Sequence, residues 1–325
     1  MRRYIFARLM LFIPLLLGIT LMSFVIMHLT PGSPVDSVKM SPDVDTRAQL
    51  RLYKAYGLDK PVHVQYLFWL KRVLTFDFGR SFKDGRKVMS KIAERMPATI
   101  FLNIFSLIVI FSVAIPIGII SALKHNSMVD RLLTVMVFVG YSVPTFALAL
   151  VLMYFFGVKL AWLPISGITS INFEYLSLWG KTVDLLKHLI LPVVTSAIGG
   201  LAFISRYLRS TMLEIIRQDY IRAAQARGIT KGRIIIIHTL RNALIPLVTM
   251  LGLLLPVLMS GSVIFETIFS WPGMGRLAYN SIMSRDYPVI MGVGMIMALL
   301  TLVGNLLADI GYAAVDPRIR YKNEK

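Results

Sequence analysis

Six stretches of this chain run for 18 residues or more without Asp, Glu, Lys or Arg: 9–29, 96–123, 132–158, 188–205, 242–265 and 287–308. Nothing else restricts the fold so strongly. At 1.5 Å rise per residue, about 20 residues cross a hydrocarbon core of about 30 Å. In lipid the backbone must satisfy its own hydrogen bonds, so each run is predicted to be a helix. The expectation is an all-α integral membrane protein with six transmembrane helices, forming a single transmembrane domain over residues 1–325.

Charge sets the expected orientation. The chain carries a formal net charge of +18, which raises the question of nucleic acid. Lys and Arg number 3 in residues 1–8, 2 in 124–131, 8 in 206–241 and 4 in 313–325, against 3 in 158–187 and 2 in 266–287. This is the pattern of positive charge retained inside, and it predicts cytoplasmic N and C termini. The segment 29–97 holds 13, but a loop of that length is largely exempt from the rule. The basic charge therefore reads as topology and attraction to lipid headgroups, with no nucleic-acid partner. MRRYIFARLM followed by a long apolar run lacks a small-residue cleavage site, so it is expected to be a retained first helix. There is no cysteine, which excludes disulfides, thiolate metal sites and cysteine nucleophiles.

Between the runs, Thr30-Pro31-Gly32-Ser33-Pro34 breaks the first helix. In the external segment 29–97, Val64, Leu67, Leu70, Val73 and Leu74 recur at helical spacing after Pro61. Together with Tyr66, Trp69, Lys71 and Arg72 they predict a helix lying on the outer leaflet. Pro116, Pro144, Pro192 and Pro256 sit inside apolar runs and predict kinks, which a membrane protein tolerates beside neighbours or a solvated path. Ionisable groups in the runs are scarce. Asp309 lies one turn after Asn305 and is either a translocation-path residue or the partner of Arg318 or Arg320. Glu266, at the outer end of the fifth run, has the same two readings.

Between Ile221 and Pro246 lies IRAAQARGITKGRIIIIHTLRNALIP, a basic helix–Gly–helix set between two apolar runs. Asp219 can cap the first helix and suits its positive end. Ala223, Ala224 and Ala226 allow close packing, and Gly228 falls where a C-cap needs a left-handed residue, after cationic Arg227. Thr230 can cap a second helix leading through Ile234–Ile237 and Leu240 into the fifth run. The product is a short cytoplasmic helix in loop 206–241, displaying cations and small residues. The plainer alternative is a basic surface loop that only satisfies topology.

Arg222-Ala223-Ala224-Gln225-Ala226-Arg227-Gly228, ten residues before His238 and followed by Arg241-Asn242-Ala243-Leu244, resembles the EAA loop of bacterial ABC-importer permeases, and most closely that of the dipeptide/oligopeptide/nickel branch. Similar to the same branch are Thr30–Pro34, Tyr56-Gly57-Leu58-Asp59-Lys60-Pro61 with Gln65-Tyr66, and Asp77-Phe78-Gly79-Arg80-Ser81. So are Glu266-Thr267-Ile268-Phe269, Pro272-Gly273-Met274-Gly275, Arg285-Asp286-Tyr287 and Asp316-Pro317-Arg318-Ile319-Arg320. The long first external segment resembles a B-type membrane subunit. The general loop begins with glutamate where this chain has Arg222, and its closing proline is displaced to Pro246.

The resemblance implies a coupling helix built by Asp219, Arg222, Ala223, Ala224, Arg227 and Gly228 that docks on a separate ATPase. It also implies a translocation path or gate including Glu266, Trp271, Pro272, Gly273, Asn305 and Asp309. Trp271-Pro272-Gly273 either reaches into a docked binding protein or is a plain tight turn. The implied partners are a paralogous permease subunit, two ATPase subunits, an extracytoplasmic substrate-binding protein and the lipid bilayer. ATP and Mg belong to the ATPases, and this chain is expected to hold no cofactor or metal. Gly180-Lys181-Thr182 lacks the earlier glycine of a P-loop, its place being taken by Tyr175. Gly273-Met274-Gly275 lacks the strand and helix of a dinucleotide site. The five histidines show no metal spacing. A self-sufficient secondary carrier or channel is the competing reading; it would need more buried carboxylates than these runs contain.

Overall fold

A computed structural model describes residues 2–29, 60–253, 258 and 261–315. The breaker at Thr30–Pro34, the Tyr56–Asp59 part of the external motif, Pro256 and the Asp316–Arg320 ending lie outside the described residues. Helices dominate, and the described residues include an isolated antiparallel bridge, Arg80 to Lys87. Four helices are long and apolar enough to cross a membrane, and a bent pair makes up to a fifth. The chain divides into two compact units.

The first unit holds residues 1–99, 255–263 and 272–325. Its long helices are α1 (Arg2–Leu29) and, at the other end of the chain, α11 (Tyr287–Val315). Arg8, near the start of α1, pairs with Asp309, near the end of α11, at 2.9 Å. The two helices are thus antiparallel. Among the described residues Asp309 pairs with Arg8; Arg318 and Arg320 lie outside them.

The predicted outer-leaflet helix is α2, Val62–Leu74, starting after Pro61. It is two-sided. Tyr66 Oη lies 3.0 Å from Thr20 Oγ1, Gln65 Oε1 lies 3.1 Å from His28 Nε2, and the Tyr66 and Trp69 rings flank Phe24 of α1. Leu67, Phe68 and Leu74 remain exposed on the other side, an apolar surface of the kind a helix resting in lipid carries.

Two motifs about 200 residues apart in sequence lock together in this unit. Asp286 is buried; Ser81 Oγ donates to it, and the Phe82 N–H donates to its Oδ1 at 2.9 Å. Lys91 Nζ donates to Ser81 Oγ at 3.1 Å and to Asp84 at 2.8 Å. Burying Asp286 is tolerable because hydrogen bonds and a cation meet it. Beneath lies a core of Val73, Phe78, Val88, Ile92, Met274, Val289, Val293 and Ile296.

Gly275, the second glycine of the Pro272–Gly275 motif, follows Met274 at the start of α10 (Met274–Met283). A Cβ there would lie 2.7 Å from Val263 N and 2.8 Å from Ser262 C. Backbone cannot yield as a side-chain tip does. Gly275→Ala is therefore expected to cut the amount of folded chain in membranes at least several-fold, measured by immunoblot. Wild-type abundance of that variant would show that the backbone there gives way.

The second unit holds residues 100–254 and 264–271. It is built on α3 (Val88–Leu123, which enters from the first unit) and α6 (Leu178–Ile216). These cross where side chains are smallest. A Cβ on Gly118 would lie 3.0 Å from Leu208 Cβ, and one on Gly200 2.6 Å from Ile110 Cδ1. Small residues at crossings are how membrane helices approach each other without a hydrophobic driving force between them.

The third apolar run is not one straight helix. α4 (Met128–Ser142) ends before Pro144, α5 (Thr145–Leu152) follows, and the turns Met153–Lys159 are π-helical; the pair is bent by 97°. Val143 is extended, ψ 128°, as the residue before proline prefers. Pro192, by contrast, lies inside continuous α6. α8 (Arg241–Leu253) contains Pro246, and residues 254–257 of the fifth run lie outside the described residues. The short α9 is Val263–Ile268.

Candidate coupling site

The predicted cytoplasmic helix is α7, Asp219–Ala226. Gln218, not Asp219, occupies the N-cap position, with extended backbone and no side-chain capping bond. Asp219 is the first helical residue and makes no capping bond. Its favourable position at the positive helix end is unchanged. Its carboxylate lies 3.8 Å from Arg222 Nη1, with side chains 97% and 74% exposed, so the pair adds little stability.

The far end closes as Gly228 predicts. Its φ is +75°. Its N–H donates to Gln225 O at 2.9 Å, and the N–H of Ile229 donates to Ala224 O at 3.3 Å. Those two bonds form the Schellman closure, which satisfies two of the carbonyls a helix end leaves open.

Ile221 and Ala224, one turn apart, are buried and packed with Ile215, Ile229 and Ile234. Ala224 therefore faces the protein's own interior. The period of 3.6 puts it on Ile221's side, while Asp219, Arg222, Ala223, Ala226, Arg227 and Gly228 are exposed. With Lys231 and Arg233 they make a basic outer face relieved by small residues.

Thr230 takes the N-cap position of a single turn, Lys231–Arg233, without a side-chain bond. Ile234–Leu240 is then π-helical and runs directly into α8. Single π turns inside α-helices concentrate at functional places. The wider turn exposes the carbonyl of His238, which accepts from Asn242 Nδ2 at 2.8 Å and Tyr220 Oη at 3.4 Å; Asn242 also donates to Tyr220 Oη at 3.2 Å. Tyr220 thereby ties α7 to the base of α8, while Ile215 ties it to the end of α6. The sequence motif includes His238 and Asn242, but nothing in it marks their bonds to Tyr220.

Sequence reasoning also passed over Asp130, which is buried. Arg209 holds it with two bonds, Nε to Oδ1 at 2.9 Å and Nη2 to Oδ2 at 2.8 Å. Ser121 Oγ adds 2.7 Å and the Asn126 N–H 3.0 Å. Ser127 caps α4, accepting from the Asp130 N–H at 3.3 Å. The signal was present: Ser127-Met128-Val129-Asp130 has the spacing of a capping box. This clamp fastens the 124–127 turn to α6 about two turns before that helix ends. Between clamp and helix opens a cleft of about 500 Å³ lined by His125, Ser210, Leu213, Glu214, Arg217 and Asp219.

Of the expected path residues, Glu266 is fully buried in α9. Trp271 is 0% exposed, Gly273 is buried and Pro272 half-buried. Trp271 is thus buried in the protein, which is favourable for an indole. Reaching into a docked protein would require the indole to leave that place. Asn305 is exposed on α11, one turn before Asp309.

Residues 114–321 match the family described as binding-protein-dependent transport system inner membrane component, and residues 1–103 match its N-terminal companion. The chain is 42% identical over 322 residues to the oligopeptide transport system permease protein AppB of Bacillus subtilis, covering 99% of this chain and 100% of that one. It is 36% identical over 338 residues to the dipeptide transport system permease protein DppB of Escherichia coli, covering 99% and 100%. Among solved structures, the inward-facing methionine ABC transporter MetNI shares the fold with a TM-score of 0.52 at 18% identity, covering 70% of this chain and 97% of that one. With apolar helices of spanning length on one side and matches along nearly its whole length on the other, this chain belongs to the multi-pass inner-membrane components of prokaryotic binding-protein-dependent transport systems.

Proposed function

We propose that this chain is one half of the translocation pathway of an ATP-driven peptide importer, driven through α7 by a separate ATPase subunit. The observation that carries this is the two-sidedness of α7. Its inner face is bonded to the ends of α6 and α8 through Ile215, Ile221, Ala224 and Tyr220, and its outer face is bare, basic and small. A load applied to such an element passes to both long helices at once. Its net positive face suits an acidic groove.

Peptide cargo is supported by the names of the oligopeptide and dipeptide permeases at 42% and 36% identity. The remainder of the assembly follows the same reading: six crossings, cytoplasmic termini, a paralogous permease, two ATPases that hold ATP and Mg, and an extracytoplasmic binding protein. The antiparallel pairing of α1 with α11 supports an even number of crossings, since it brings Arg8 and Asp309 to one side.

The chain has no cysteine of its own, so Ala223→Cys introduces a sole thiol on the exposed face. In native vesicles a bifunctional thiol reagent is expected to capture an ATPase subunit from that position. An impermeant maleimide is expected to reach it only in inside-out vesicles. Labelling from the outside, or capture of no nucleotide-binding subunit, would refute the reading. Reconstituted alone, the chain is expected to move no peptide down an ion gradient; if it did, the secondary-carrier reading would replace this one.

A further inference from the structure

We propose that the cleft between α4 and α6 holds the phosphate headgroup of one anionic phospholipid. The cleft has a volume of about 620 Å³ and is lined by Thr134, Phe138 and Tyr141 of α4 and Phe203, Arg206 and Tyr207 of α6, among others. The Arg206 guanidinium lies 4.8 Å above the Phe138 ring. That stacking occupies one face of the planar cation and leaves its N–H edge to donate. No carboxylate pairs with Arg206 among the described residues, whereas Arg209, the other cation on the cleft, is already held by Asp130. One unspent fork of donors therefore faces a cavity large enough for a small molecule.

Depth and neighbours select the ligand. Arg131 is the last charge before the run 132–158 and Arg206 the first after 188–205, so the guanidinium sits at the boundary where headgroups lie. Tyr207, next to Arg206, is the tyrosine at that level and suits the interfacial belt. Phe138, Tyr141 and Phe203, which line the cleft, are themselves exposed, a wall suited to acyl chains. A phosphodiester takes two parallel N–H bonds from one arginine. No Asp or Glu lines the cleft. A zwitterion, whether a peptide or phosphatidylethanolamine, would leave its ammonium unmatched, which favours a headgroup with net negative charge. That the lipid comes from the cytoplasmic leaflet rests on the orientation proposed above; the site itself does not.

The test is native mass spectrometry of the intact transporter, titrated with phosphatidylglycerol. The wild type is expected to retain one phosphatidylglycerol through detergent exchange. Arg206→Gln should lower that occupancy about tenfold, and Arg206→Lys, which keeps the charge but loses the flat stack and the fork, about threefold. Phosphatidylethanolamine and glycerol 3-phosphate are expected to bind at least tenfold more weakly. Equal retention by wild type and Arg206→Gln would overturn the proposal. So would competition by glycerol 3-phosphate at the lipid's own concentration, which would make this a free-anion site. Displacement of the lipid by a dipeptide would make it a cargo subsite instead.

Discussion

Gly228→Pro should reduce ATP-driven uptake to a tenth or less while the chain still inserts at near-normal abundance. Proline fixes φ near −65°, and Gly228 sits at +75°. Proline also lacks the N–H that Gly228 donates to Gln225. Both halves of the cap that closes α7 fail, and with them the direction in which the chain turns from α7 toward Lys231. No atom lies within 4 Å of a Cβ placed on Gly228, so the surroundings impose no steric objection. The series is therefore diagnostic. Gly228→Asn should be nearly neutral, because asparagine visits the left-handed region readily, and Gly228→Ala should lose a few-fold, in keeping with a strain of about 1–2 kcal/mol. Labelled-peptide uptake in vesicles, normalised by immunoblot, measures all three. If Gly228→Pro transports normally, α7 does not couple.

The second large effect belongs to Asp130 and Arg209. Removing one member of a buried, hydrogen-bonded pair leaves the other uncompensated, at a cost of about 3–5 kcal/mol. Arg209→Gln is expected near the lower end, about 3 kcal/mol, because the Arg209 side chain is 30% exposed and water partly replaces it. The midpoint of thermal unfolding of the purified complex should fall by several degrees. Asp130→Asn combined with Arg209→Gln should recover part of the loss, since the double variant buries no lone charge. Strict additivity of the two single changes would mean that the clamp is ornamental. Should the clamp also transmit motion, Arg209→Gln will hydrolyse ATP without a matching rate of uptake.

What the sequence disclosed, and what it hid, has a physical pattern. The largely helical, apolar character was legible because apolar run length is a property of the chain alone; the six predicted crossings stand against four helices of spanning length and one bent pair among the described residues. Gly228 was legible because a left-handed cap after Arg227 has few alternatives. Pro144 announced a break, though not its 97° size, which neighbouring helices decide. The side on which Ala224 would fall was not legible from composition, since alanine suits either face; only the register of Ile221, three residues earlier, fixes it. Trp271 was open to two readings for the same reason: a large indole marks either an anchor or a probe, and packing chooses. The clamps at Asp130 and Asp286 join residues 79 and 204–205 positions apart, distances over which a single sequence carries no pairing signal.

α6 continues through Pro192 without interruption from Leu178 to Ile216, 39 residues. At 1.5 Å each that is about 58 Å of rod, nearly twice the hydrocarbon thickness. Pivoted near its middle, such a rod sweeps each tip through about 5 Å for every 10° of tilt. A small push delivered beneath Ile216 would therefore reappear, reversed in direction, on the opposite side of the bilayer.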